Sequence, residues 1–141
     1  MTVDTEKVRQ KLHFMRTALR QLKELQGISL EAFQENRVYP AAAAYTLQTA
    51  IEAMLDLCAH IISREGWGLP KSYREAVIIA ARNGLIPEDT LPAFEAMARL
   101  RNRLVHLYDQ VDDHELWKII QENLDDFKPF IAGVVRRYCG R

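Results

Sequence analysis

Cysteine is scarce in this chain: Cys58 and Cys139 are the only two among 141 residues, and they form no Cys-x-x-Cys pair. Their separation argues against a cysteine-rich zinc site and against a disulfide framework, both of which need several cysteines at short intervals. Histidine is nearly as thin. None of His13, His60, His106 and His114 has the His-Glu-x-x-His spacing of a zinc-binding helix, so neither a bound metal nor a cofactor is expected. Long apolar runs are missing too. Stretches such as Ala76 to Ala81 fall far short of a bilayer span, and the acidic start Met-Thr-Val-Asp-Thr-Glu-Lys has no apolar core of signal-peptide length. A soluble, cytoplasmic protein with no membrane contact is the expectation. Net charge is absent as well: 19 basic side chains balance 19 acidic ones, so no bulk cationic field draws in nucleic acid. Any RNA contact must come from a local patch. No stretch alternates like a strand, and neither a repeat nor a low-complexity linker is present.

What is present is helical periodicity. With 48% apolar side chains the chain can bury one core, and residues 1–141 read as a single domain. Val8, Leu12, Met15, Leu19 and Leu22 make one stripe on a helix from Asp4 to Gln26, and Gly27 is a plausible stop. Ser29 caps a short helix or turn to about Arg37. Pro40 suits the first turn of a long central helix, whose core face carries Leu47, Ile51, Met54, Cys58 and Ile61 and which ends at Gly66-Trp67-Gly68. Ser72-x-x-Glu75 opens another helix as a capping box, and Asn83-Gly84 closes it. A further helix runs from about Thr90 to Tyr108, and Asp112 caps a last one directed toward Arg137. The fold class is therefore all-α: an antiparallel bundle of about four long helices plus a short one. Glu52, Asp56, His60 and Arg64 recur every four residues, spacing expected to give helix-surface ion pairs on a dimer face or toward solvent. Trp67 and Trp117 read as packing anchors, and Arg136, Arg137 and Arg141 as a frayed, solvated basic tail.

The densest chemistry lies between residues 99 and 117. Around a core stripe of Leu100, Leu104, Leu107 and Val111 stand Arg99, Arg101, Asn102, Arg103, His106 and Tyr108. The run Arg101-Asn102-Arg103-Leu104-Val105-His106-Leu107-Tyr108 resembles the HepT-like branch of the HEPN superfamily, whose signature is Arg, four residues, His, one residue, Tyr. Val111-Asp112, Tyr39-Pro40 through His60, and Leu69-Pro70-x-x-Tyr73 are similar to other segments of that family, with no departure inside the signature. The resemblance implies a homodimeric toxin of a type VII toxin–antitoxin system: a metal-independent endoribonuclease acting on tRNA or mRNA. Its composite Arg-x4-His site lies at the dimer interface, and a minimal nucleotidyltransferase antitoxin of the MntA type silences it by attaching AMP to Tyr108. The alternative is a non-catalytic HEPN subunit that presents a substrate or nucleotide to a nucleotidyltransferase; a purely structural dimeric bundle is a third reading.

The residue types agree with RNA cleavage by the neighbouring 2′-hydroxyl, which needs a base, an acid and a cation for the charge on phosphorus. His106 would be the acid or base and Arg101 the phosphate clamp. Asn102 would orient His106 or a phosphate oxygen, while Arg99 and Arg103 would contact RNA. Five residues at 100° each separate Arg101 and His106 by roughly 140° around the helix, so one subunit converges them poorly and two facing helices would complete the site.

Overall fold

The computed structural model describes residues 2–106 and 111–140, and no strand occurs among them. Seven α-helices follow in order: α1 (Thr5–Lys23), α2 (Leu30–Glu35), α3 (Val38–Glu65), α4 (Tyr73–Arg82), α5 (Leu91–His106), α6 (Asp113–Glu122) and α7 (Lys128–Tyr138). Most begin where a short polar side chain can take over orphan amides. The Asp4 carboxylate accepts from the Glu6 and Lys7 amides, Ser29 Oγ from Ala32, Ser72 Oγ from Glu75 and Asp112 from Glu115. Each such cap contributes about 1 kcal/mol. The box at α4 is offset by one residue, because the Glu75 carboxylate accepts from the Lys71 amide at 2.9 Å.

Helix α3 is the hub. Leu47, Ile51, Met54, Cys58 and Ile61 are all buried, and so are Ala50, Leu55, Leu57 and Ile62 on other faces. Helices α1, α2, α4, α5 and α6 all pack against it. Gly66 ends it in the left-handed region at φ +71°, which lets the Trp67 amide reach back to the Ile62 carbonyl at 3.0 Å. Burial pushes the Cys58 thiol up to about 12, so it is packing rather than a nucleophile.

Three expectations need correction. The last helix is not continuous: α6 stops at Asn123, a 3-10 turn spans Leu124–Phe127, and α7 restarts with Pro129 in its first turn. Nor do Glu52, Asp56, His60 and Arg64 pair among themselves. Asp56 meets Lys11 on α1, His60 accepts from the Asp4 amide, Arg64 donates to the Thr2 carbonyl, and Glu52 meets Arg101 on α5. Arg137 of the basic tail is anchored rather than frayed, since it lies 5.2 Å from the Trp67 ring centroid and donates to the Asn83 carbonyl at 3.0 Å, while Arg141 lies outside the described residues. Trp117 is anchored through its indole N–H, 2.7 Å from the Ile28 carbonyl.

Helix α7 approaches the turn after α4 so closely that a Cβ on Gly133 would lie 2.0 Å from the Leu85 carbonyl oxygen. Gly133→Ala should therefore lower stability by about 1–3 kcal/mol in urea unfolding, as overpacking against backbone does. Gly140→Ala, where the nearest atom stands at 3.6 Å, should be close to neutral. Equal midpoints for the two variants would refute the close packing.

His60 carries a pH dependence. Its imidazole accepts from the Asp4 amide at 3.2 Å, and burial, then the Lys7 and Arg64 charges, hold its pKa below the ordinary 6.5 against the opposing pull of Asp4. The fold thus favours the neutral ring. Its contribution is complete above the unfolded value of 6.5 and is lost as pH falls below it, because the unfolded chain then takes up the proton first. Thermal melts from pH 7.5 to 5 should show a steeper decline for the natural chain than for His60→Gln; parallel curves would remove His60 from the account.

Candidate functional site

Helix α5 carries the site because its sequence divides it into distinct faces. Phe94, Met97, Leu100 and Leu104 are buried against the core, and their directions place Arg101 on the inward flank while His106 points outward. A guanidinium turned inward needs partners. Arg101 Nε donates to Glu52 Oε2 on α3 at 3.1 Å, Nη2 is ion-paired with the same oxygen at 3.0 Å, and Gln48 donates to it at 3.4 Å. Nη1 donates to Asn102 Oδ1 at 3.3 Å, and the guanidinium carbon stands 5.0 Å from the Tyr73 ring centroid. The side chain is left only 18% exposed. A guanidinium has five N–H donors. Glu52 accepts from Nε and Asn102 from Nη1, so among the described residues N–H groups on Nη1 and Nη2 are left for a ligand.

Arg101 and Asn102 line a cleft of about 420 Å³ with Ala59 of α3, Tyr73 and Ala76 of α4, and the Pro70–Ser72 segment. Asn102 is exposed, and its amide oxygen is turned to Arg101 rather than to His106. His106 is exposed at the last residue of α5 and is not a partner of Arg101. One chain thus brings Arg101 and Asn102 together but leaves His106 apart. Tyr108 and Leu107 lie outside the described residues.

Arg99 and Arg103 occupy the other flank. They border a second cavity, of about 330 Å³, lined by apolar side chains that include Leu47, Met97, Leu100 and Phe127. Arg99 is exposed. Arg103 forks onto Glu115 of α6 at 2.6 and 2.8 Å, and that hydrogen bond raises its pKa against the opposing burial penalty, with the Glu115 and Asp112 charges adding less. No three His, Cys, Asp or Glu side chains among the described residues are grouped so as to hold a metal ion. None of the described helices is long and apolar enough to cross a membrane.

Two contributors escape a reading of the α5 motif alone. Glu52 stands 49 positions from Arg101, and its only trace is a carboxylate on the central helix at four-residue spacing from Gln48. Tyr73 carries a trace in the Leu69-Pro70-x-x-Tyr73 segment, but not the fact that its ring lies against Arg101.

Comparison with known proteins agrees with this architecture. The mRNA nuclease HepT of Shewanella oneidensis is 26% identical over 121 residues, covering 86% of this chain and 90% of that protein. The tRNA nuclease HepT of Aphanizomenon flos-aquae is 25% identical over 113 residues, covering 80% and 77% respectively. Among solved structures, the tri-AMPylated Shewanella oneidensis HEPN toxin in complex with MNT antitoxin superposes with a TM-score of 0.84 at 24% identity, over 93% of this chain and 98% of that one. The cytosolic Bacillus subtilis protein YutE does so at 0.81 and 20% identity, over 94% and 88%. At these identities the superpositions establish the shared helical fold. The model of the family described as Ribonuclease HepT-like matches residues 15–134, which take in α3, the cleft and all of α5, and the chain belongs to that family.

Proposed function

We propose that this chain is the toxin of a toxin–antitoxin pair and cleaves RNA without a metal, at a site completed by two copies of itself. The observation that carries the reading is Arg101, fixed from three sides with N–H groups on Nη1 and Nη2 still open, on the same helix as an exposed His106. Two relatives of similar length are an mRNA nuclease and a tRNA nuclease, which supports RNA as the substrate class. In the reaction, a base removes the 2′-hydroxyl proton and the 2′-oxygen attacks phosphorus. The bond from phosphorus to the 5′-oxygen breaks, and an acid protonates that oxygen. The products are a 2′,3′-cyclic phosphate and a 5′-hydroxyl end. Arg101 offers its open donors to the phosphate oxygens, where charge accumulates in the transition state.

The two histidines of a symmetric dimer supply base and acid, since like charge disfavours both rings being protonated at once. Asn102 steadies Arg101. Arg99 meets backbone phosphates at the margin, with Arg103, held by Glu115, behind it. Partnership with a nucleotidyltransferase antitoxin is supported by the Shewanella oneidensis toxin, which is tri-AMPylated and complexed with MNT antitoxin. Tyr108 is the proposed acceptor of AMP; the bound nucleotide would bring negative charge and bulk beside the basic groups.

Arg101→Ala and His106→Ala should each abolish cleavage of RNA in vitro while retaining helical circular dichroism. Cleavage by the natural chain should persist in EDTA and leave cyclic phosphate ends. Activity that survives either substitution, or that requires a divalent ion, would overturn the mechanism; a folded dimer that binds nucleotide and cleaves nothing would favour a presenting subunit instead.

Tyr108→Phe should keep most of the nuclease activity, because the phenol has no proton-transfer role. Co-expressed with the antitoxin, the natural chain should gain AMP by intact mass and the variant should not. A variant that is still modified and silenced would place the switch on another residue.

A further inference from the structure

The acidic partner of Arg101 is the feature that the cleavage scheme leaves without a role. We propose that Glu52 is a positioning residue for RNA cleavage, holding Arg101 by one edge so that its remaining donors stay aimed at the scissile phosphate. This rests on the reading of Arg101 as the phosphate clamp.

The geometry argues for positioning over simple charge pairing. Glu52 engages Nε and Nη2, the lateral edge of the guanidinium, through a single oxygen, Oε2. Gln48, one turn back on α3, donates to that same oxygen at 3.4 Å and so limits its rotation. Tyr73 stands against the face of the guanidinium and Asn102 takes a donor on the far side, so the plane is constrained by three separate elements: α3, α4 and α5. Arginine has several soft torsions, and freezing them before substrate arrives removes an entropic cost from the transition state. A carboxylate beside the clamp also opposes the binding of a phosphate, since it offsets the arginine charge. Retaining it makes sense only where orientation matters more than attraction.

That opposition gives the test its sign. Glu52→Ala places a good helix former at a partly exposed site on α3, so the helix should hold, while the loss of the partner of Arg101 lowers the melting temperature without unfolding the chain. Its cleavage of a short single-stranded RNA should fall in kcat by roughly 10–100-fold, as misplacement of a substrate-binding group does, while KM stays level or drops because the competing charge is gone. Glu52→Gln keeps an acceptor oxygen and should recover most of kcat. The Arg101 Nε–H resonance should exchange slowly with water in the natural chain and in Glu52→Gln, and rapidly in Glu52→Ala. Thermal melts on all three separate lost positioning from lost folding.

A Glu52→Ala chain that cleaves as fast as the natural one, or faster, would reduce Glu52 to a charge damper and overturn the proposal. Equal losses of kcat in the two variants would do the same, because charge rather than the acceptor would then matter. If the natural chain itself does not cleave RNA, the nuclease reading falls and takes this one with it; cleavage by the natural chain with Glu52→Ala unaffected removes this one alone.

Discussion

A 28-residue helix that is apolar on most of its circumference cannot face water, and covering α3 is the constraint from which the architecture follows. Helices α1, α4, α5 and α6 each bury one stripe against it, and α2 closes the remaining end. Each of those helices needs only one apolar face, which leaves the opposite face free for polar groups. Gln48 and Glu52 of α3 lie in a seam where α5 passes, and Asp56 continues it toward α1. The candidate site is therefore built where the core helix can carry charge without burying it alone.

A second constraint acts on α5. Its apolar residues fix its rotation, and that rotation turns Arg101 inward and His106 outward. A mostly buried guanidinium left unpaired would oppose folding, and a buried ion pair contributes well only when its hydrogen bonds are largely satisfied. Glu52, Asn102 and Tyr73 answer that requirement and leave N–H groups on Nη1 and Nη2 over. The same arrangement is repeated on the other flank by Arg103 and Glu115, which tie α5 to α6. Opposite charges offset each other locally, as 19 basic and 19 acidic residues do over the whole chain.

The legible parts of this fold are those written in neighbouring residues. Asp4, Ser29, Ser72 and Asp112 announce helix starts because a cap acts within three positions of itself. The break between α6 and α7 stays hidden for a related reason. Leu116, Ile120, Leu124 and Phe127 continue one apolar stripe straight through it, all four are buried, and only Asn123 and Pro129 mark the interruption. In the site, the motif on α5 points to Arg101 and Asn102, yet the carboxylate that holds Arg101 belongs to another helix. The anchoring of Arg137 by Trp67 and Asn83 is equally non-local. Residues far apart in the chain become partners only once the helices have packed, which no local pattern encodes.

The spacing of two residues between His106 and Tyr108 has a consequence for any inhibitor that the chain carries on itself. Covalent geometry keeps the Cα atoms of residues two apart within about 7 Å whatever path the backbone takes. A nucleotide joined to Tyr108 would be leashed to the imidazole rather than arriving from solution. Short tethers hold their cargo at effective concentrations on the order of millimolar or above. Even a weak intrinsic affinity of the nucleotide for the cleft would then suffice for near-complete occupancy, and raising the RNA concentration would do little to displace it.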